Sequence, residues 1–524
     1  MLALLRKGKF SAKDITHLAP YPFYLKKEIE GFSKISLTKR PQNDTIRKVF
    51  KRKGNSMQNM AVKENKMGVM PMGKLLLGMA LPMVASMIVQ ALYNVVDSIF
   101  VSMLGQDELN AVSMAFPIQN IIISIASGLG VGVNALISRS LGEGRRDAAN
   151  RYAALGVFLS AVSYILMLLF GIFGCEAFFR SQTGVEAIIE GGTQYLSICC
   201  IFSFGAFGQI IFEKLMQSTG KTSLSMYTQG LGAIINIILD PIFIFGWLGA
   251  PAMGVAGAAV ATVIGQIASV FLGIYLNHRL NKEITVSFRG FKVEWGKVKR
   301  ILVIGFPAII MMAIGSVMTY SMNLLLGSLE PTGVATAVFG VYFKLQSFVI
   351  LPVVGMTHGM MPIVSYNLGA AKKSRMLAAY RYTVYCSFGY LCLCSVLMFA
   401  IPGVLIGFFS PTPAMLALGK PALRIIAVGY LFTAYSLVNS SFFQAIGRSL
   451  LSMFMSIARQ LGFLLPLAIF FAFVFGLDAV WWAIPMAELC VLAVAIFGRI
   501  RINKRVLAFI PDAENVNNAE QIDA

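Results

Sequence analysis

Ile137-Ser138-Arg139-Ser140-Leu141-Gly142-Glu143-Gly144-Arg145-Arg146 returns in altered form as Val364-Ser365-Tyr366-Asn367-Leu368-Gly369-Ala370-Ala371-Lys372-Lys373, about 227 residues later. A second stretch repeats at the same offset, Gln217-Ser218-Thr219-Gly220-Lys221-Thr222-Ser223-Leu224-Ser225-Met226 against Gln444-Ala445-Ile446-Gly447-Arg448-Ser449-Leu450-Leu451-Ser452-Met453. Pro82 and Pro307 stand at nearly that spacing. Repetition at one offset in several places marks a duplicated architecture, so the chain reads as two related halves. In both copies the first run follows a long apolar stretch and ends in basic residues.

Working outward from the repeat, apolar runs of the roughly 20 residues needed to cross a bilayer core recur along the whole chain. They fall near 73–98, 107–136, 151–174, 190–216, 222–248, 252–277, 299–327, 332–365, 377–407, 418–445, 449–475 and 478–500. With 57% hydrophobic and 13% charged residues and a mean hydropathy of +0.73, soluble globular classes are excluded. The expected fold is all-α and polytopic, about 12 transmembrane helices in two pseudo-symmetric six-helix lobes. About six spans separate equivalent points, so the halves share one orientation, related by an axis along the membrane normal with a central cleft between them. The expected organisation is a basic tail over 1–66, an N-lobe over 67–278, an inter-lobe loop over 279–298, a C-lobe over 299–505 and a tail over 506–524.

The net charge of +20 is placed for a membrane and not for nucleic acid. About 16 Lys/Arg against 5 Asp/Glu lie in residues 1–66, and the remainder sits mostly in alternate short loops. One set of loops and the C-terminal end hold about 22 basic residues, from Arg139 to Arg505, and the other holds Arg180 and Lys420. That bias places both termini in the cytoplasm of a cell (inner) membrane protein. Residues 1–56 lack an apolar stretch long enough for a secretion signal, which leaves a cytoplasmic tail or an over-long start. The seven cysteines show no paired metal-binding spacing and read as packing residues.

Deep acids are costly in a membrane, by about 2.5–3.5 kcal/mol on insertion scales, and so mark function. Two stand out, Asp97 in the first span and Asp240 in the fifth. Gln90, Tyr93, Asn94 and Asp97 recur at helical spacing on one face, and Gln229, Asn236 and Asp240 share a face of the fifth span. Two such stripes predict one polar pocket in the first half. Paired carboxylates in low dielectric can take a proton; joined by Asn236 and the Thr262 hydroxyl, the same oxygens suit Na⁺. Pro241 leaves the Ile237 carbonyl without its helical donor. Tyr320 and Asn323 of the seventh span and Lys344 of the eighth are cleft candidates for substrate; Lys344 would either ion-pair in the cleft or lie near a helix end. Glu213 with Lys214 and Arg459 read as structural, and His358 as a hydrogen-bonded core residue.

Five stretches in their order resemble the multidrug and toxic compound extrusion (MATE) family, most closely its DinF-like and MepA-like bacterial members. They are Asn94-Val95-Val96-Asp97-Ser98, Leu141-Gly142-Glu143-Gly144, Gln217-Ser218-Thr219-Gly220-Lys221, Asn236-Ile237-Ile238-Leu239-Asp240-Pro241 and Gly254-Val255-Ala256-Gly257-Ala258. The resemblance covers about residues 70–505. It implies export of amphipathic, often cationic drugs in exchange for H⁺ or Na⁺, with Asp97 and Asp240 as the cation-coupling pair beside Asn236 and Thr262. No other cofactor, no nucleic acid and a monomer in the lipid bilayer are expected. The acid that some members carry in the seventh span is missing here, where Tyr320, Met322 and Asn323 stand. Alternatives are a lipid-linked precursor flippase of the same superfamily and a major-facilitator carrier, whose usual basic motif Gly142-Glu143-Gly144-Arg145-Arg146 does not reproduce. A membrane enzyme is disfavoured because no nucleophile-base constellation is present, and Leu215 stands where a phosphate-binding loop needs glycine.

Overall fold

The computed structural model describes residues 65–409, 411–505 and 507–510, which form helices joined by short connections. The tails expected over 1–66 and 506–524 lie almost wholly outside the described residues. Spans 1 to 6 are Met72–Ser102, Gln106–Gly142, Arg146–Phe173, the pair Glu186–Ile201 and Phe204–Ser218, Thr222–Phe245, and Val255–Leu280. Spans 7 to 12 are Trp295–Leu329, Val334–Gly369, Lys373–Ala400, Pro413–Ala445, Ser449–Phe475 and Leu477–Lys504. Among the described residues, eleven helices are long and apolar enough to cross a membrane, and the bent pair, counted as one span, makes the twelfth.

Two spans are interrupted, each for a local reason. Span 4 bends by 43° at Phe202-Ser203, where Gly205 and Gly208 let span 6 approach through Gln266 and Val270. Span 11 widens into a π-helix over Ala458–Leu464, just before Pro466. Proline has no N–H to donate to the carbonyl four residues back, and a wider turn absorbs the mismatch.

Burial shows how the halves meet. One core cluster draws on both halves, with Leu76 and Ala80 of span 1, Val133 and Ile137 of span 2, Ile301 and Ile304 of span 7, and Ile363 and Val364 of span 8. Two other clusters are confined to one half each, around Phe179 and Phe207 in the first and Phe339 and Trp481 in the second. The lobes therefore share a core at the end bearing the basic loops and are packed separately at the other end. In span 1, Leu75, Leu76, Met79, Ala80, Met83 and Ser86 form a buried face at the basic end, beside the exposed Leu77 and Leu81, while Leu92, Val95 and Ile99 farther along are exposed.

The seal at the basic end obeys the repeat. A Cβ on Gly142 would strike the Tyr366 carbonyl, and one on Gly369 would strike the Arg139 carbonyl. Gly128 and Gly132 of span 2 face Gly305 and Ile301 of span 7, while Gly355 and Gly359 of span 8 face Val84 and Ala80 of span 1. Each contact has its counterpart about 225–227 residues away, so the lobes meet through a pseudo-two-fold with glycine at every closest approach.

A short helix, Lys66–Val69, completes this seal. Asn65 Nδ2 donates to the Thr219 carbonyl at 3.0 Å in the N-lobe. On the C-lobe side Asn367 Nδ2 donates to Met67 O at 3.0 Å, Lys372 Nζ to Gly68 O at 2.9 Å and Arg375 Nη2 to Met70 O at 2.6 Å. Met67 is fully buried between them. Asn65 and Lys66, assigned to the tail on sequence, thus belong to the folded body: one apolar side chain and a set of backbone carbonyls anchor them to both halves.

Candidate functional site

Span 5 supplies the centre of the site. Asn236 and Asp240, one helical turn apart, both point into the N-lobe, with Asp240 completely buried. Asn236 Nδ2 donates to Asp240 Oδ1 at 3.1 Å and to Thr262 Oγ1 of span 6 at 3.2 Å. Span 6 comes this close because Gly232 and Gly265 approach backbone to backbone. Asp240 Oδ2, Asn236 Oδ1 and Asp97 Oδ1 are buried and find no hydrogen-bond partner among the described residues. A buried oxygen left without a donor costs about 1–3 kcal/mol, more when charged, so these three unpartnered oxygens mark an uncompensated polar centre in the N-lobe.

Span 1 joins this centre as expected for Gln90, Tyr93 and Asp97. Gln229 Nε2 donates to Gln90 Oε1 at 2.8 Å, tying the two polar stripes together. Asp97 lies within electrostatic reach of Asp240, and Tyr93 within reach of both carboxylates and of Glu213. Asn94, expected on the same face, is exposed. In the C-lobe Tyr320 and Asn323 are likewise exposed, opposite the buried Met322 and Leu326. Of the two places expected for Lys344, the ion pair is not found among the described residues: its Nζ sits over the Phe409 ring, 5.7 Å from the centroid. An ammonium over a ring face needs no carboxylate.

Several side chains belong here that sequence reading missed or misjudged. Gln119 Nε2 of span 2 donates to the Tyr195 hydroxyl of span 4 at 2.9 Å, and Tyr195 lies within reach of Asp97 and Asp240. Glu213 and Lys214 do not pair directly, because adjacent residues point to different sides of a helix. Glu213 Oε1 accepts from Gln209 at 3.0 Å, and Lys214 Nζ donates to Gln217 Oε1 at 3.0 Å, both deep in the lobe. His358 Nδ1 is buried without a partner among the described residues, so it is not the hydrogen-bonded core histidine expected. The expectation that deep acids occur only in the first half fails at Glu488 of span 12, whose carboxylate meets Arg459 Nη1 at 3.6 Å. The signal was present, an acid between Ala487 and Leu489 in the middle of an apolar run.

Twelve helices in two repeated lobes, sealed at one end and separately packed at the other, around a buried pair of carboxylates, define a membrane transporter. The chain belongs to the MatE family, whose model matches residues 82–242 and 307–470, one stretch per lobe. Members of that family are transporters and not enzymes. The chain is 26% identical over 427 residues to an FAD transporter of Shewanella oneidensis, covering 80% of this chain and 92% of that one. It is 25% identical over 417 residues to the multidrug export protein MepA of Staphylococcus saprophyticus, covering 79% and 90%. Among solved structures it superposes with a TM-score of 0.79 on a multidrug resistance MATE family transporter in an outward-facing conformation, at 25% identity over 85% of this chain and 99% of that one.

Proposed function

We propose that the protein is a secondary antiporter that exports amphipathic, cationic compounds across the cell membrane in exchange for H⁺ or Na⁺. The observation that carries this reading is the trio of buried, unpartnered oxygens on Asp97, Asn236 and Asp240. Two carboxylates in low dielectric repel when both are charged, so binding one proton or one sodium ion relieves the site. Asp97 and Asp240 would hold the ion, with Asn236 Oδ1 and the Thr262 hydroxyl as neutral oxygen donors. With the basic loops on the cytoplasmic side, the sealed end faces inward and the cleft faces out. Ion binding at Asp97 then repacks span 1, the element that carries both this carboxylate and the Ala80 and Val84 contacts of the seal. Tyr320, Asn323 and Asn94 line the substrate's route.

A lipid-linked precursor flippase, the main rival, calls for cations in the cleft to meet phosphate groups. Lys344, the basic cleft candidate, is engaged with Phe409, which favours the drug antiporter. Purified protein in liposomes, given a pH gradient or a Na⁺ gradient separately, tests the reading. Asp240→Asn and Asp97→Asn should each lower gradient-driven drug transport at least about tenfold, the equivalent of about 1.4 kcal/mol of lost coupling. Wild-type transport by both variants overturns it.

A further inference from the structure

The C-lobe contains a second polar site at the position the repeat assigns to the first. At the repeat spacing Pro241 falls on Pro466, and Thr262 falls within one residue of Glu488. Spans 11 and 12 thus correspond to spans 5 and 6, and in both lobes the polar groups lie beside a proline, Pro241 within the continuous helix Thr222–Phe245 or Pro466 just after the π-helical turn Ala458–Leu464. Such turns recur at functional sites because they release backbone groups and re-aim side chains. Here the turn carries Arg459 and Gln460 and packs on span 12.

The second site is as short of partners as the first. Glu488 Oε2, Gln460 Oε1 and the Tyr430 hydroxyl are buried and unpartnered among the described residues. Thr433, beside Glu488, already donates its hydroxyl to the Gly429 carbonyl at 3.0 Å. The Arg459–Glu488 separation of 3.6 Å is an ion pair too long for a hydrogen bond. Two charges largely withdrawn from water, with 23% of the Arg459 and 13% of the Glu488 side chain still exposed, and joined this loosely recover little of their desolvation cost, so stability is weak ground for the pair. The charged and titratable groups facing Glu488 are Arg459 of span 11, Tyr342 of span 8 and Tyr430 of span 10.

We propose that Arg459 is a tethered cation: its guanidinium supplies Glu488 with the positive charge that the N-lobe carboxylates take from a soluble ion. The second site is thereby permanently occupied, and ion exchange is confined to the N-lobe. Arg459 is a specificity-determining residue for how many ions move per cycle. This inference rests on the antiport reading of the N-lobe site, and the test separates the two.

The full chain is purified in detergent, and its thermal midpoint is read in sodium chloride against choline chloride at constant ionic strength, and on mild acidification. Wild type should shift upward with one of these ions, and D97N/D240N should lose the shift; a wild-type shift that survives that double change sinks the N-lobe reading alone. Adding R459Q to D97N/D240N should restore an ion-dependent upward shift, and adding E488Q as well should abolish it. Absence of a restored shift in folded R459Q/D97N/D240N overturns the proposal. So does recovery of folded R459Q/E488Q in conditions where R459Q alone stays unfolded with either ion, since the bared carboxylate then finds no soluble cation. A merely structural arginine predicts loss of stability with no new ion dependence.

Discussion

The reciprocal glycine contacts make a sharp prediction about the transport cycle. Replacing Gly142 and Gly369 by alanine puts a Cβ into the Tyr366 and Arg139 carbonyls. Both obstacles are backbone atoms, which cannot rotate aside as the end of a side chain would. Overpacking of this kind costs about 1–3 kcal/mol, and the two sites share one crossing, so their effects will not add. The cost falls only on the state in which the basic ends of the lobes touch. Alanine's better helix propensity acts in both states and cancels. The balance between the sealed state and the state open at the basic end should therefore move about 5- to 150-fold toward the latter. Spin labels at Asp147 and Ser374, exposed positions related by the repeat, would report this on a cysteine-free background as a longer distance population. Gly315→Ala, which places its Cβ where nothing lies within 4 Å, is the control and should leave the distances unchanged. Wild-type distances in the Gly142/Gly369 variant, or an equal shift in the control, would refute the assignment of these glycines to the seal.

Asn367→Ala removes the bond to the Met67 carbonyl and should weaken the same seal by about 1 kcal/mol, seen as faster protease or label access to residues 65–70. Asn236→Ala should abolish the ion-dependent thermal shift, whereas Thr262→Val, which leaves the Asn236–Asp240 bond at 3.1 Å, should only weaken it; equal effects would count against Asn236 as the organiser. Glu294, at the head of span 7, is held below the usual carboxylate range by Lys297 at 2.5 Å and Arg151 at 3.1 Å. Because its folded value is depressed, its stabilisation is present above the ordinary glutamate range and is lost as pH falls through the lowered value. Being well exposed and screened, it should contribute about 0.2–1 kcal/mol, less at high salt; a Glu294→Gln midpoint that keeps the wild-type acid and salt profile would contradict this.

Twelve spans and their repeat were legible because membrane burial demands long apolar runs, and duplication leaves the same turn residues at one offset. The bend in span 4 was not legible, since Phe202-Ser203 interrupts neither length nor hydropathy and depends on a neighbouring helix. Asp97, Asn236 and Asp240 could be read because polar residues at helical spacing in apolar runs share a face. Thr262 was legible as a further oxygen beside these three, and the structure places its hydroxyl 3.2 Å from Asn236 Nδ2. The contact of Lys344 with Phe409 was not legible, because Phe409 lies beyond the following span and no local pattern announces a cation over a ring. Glu488 was passed over because its counter-charge sits on another helix, in a π-turn that periodicity cannot reveal.

Span 1 links these observations mechanically. Its basic half is buried against Gly355 and Gly359 of the C-lobe, and its other half holds Tyr93 and Asp97 inside the N-lobe. Pro82 lies between Ala80 and Val84, within the buried half, and removes one backbone bond where the helix crosses the lobe junction. A helix weakened at that crossing can change packing at one end without unwinding at the other. The ion site then needs no long chain of side chains to reach the seal, because both bias the same helix, the physical condition for coupling between separated sites. The C-lobe counterpart, span 7, has Pro307 at the equivalent crossing but Tyr320 and Asn323 where span 1 has its acid. On the proposed antiport reading, ion-driven repacking is therefore asymmetric: one lobe's first helix would respond to the ion, and the other would serve as the surface against which it moves.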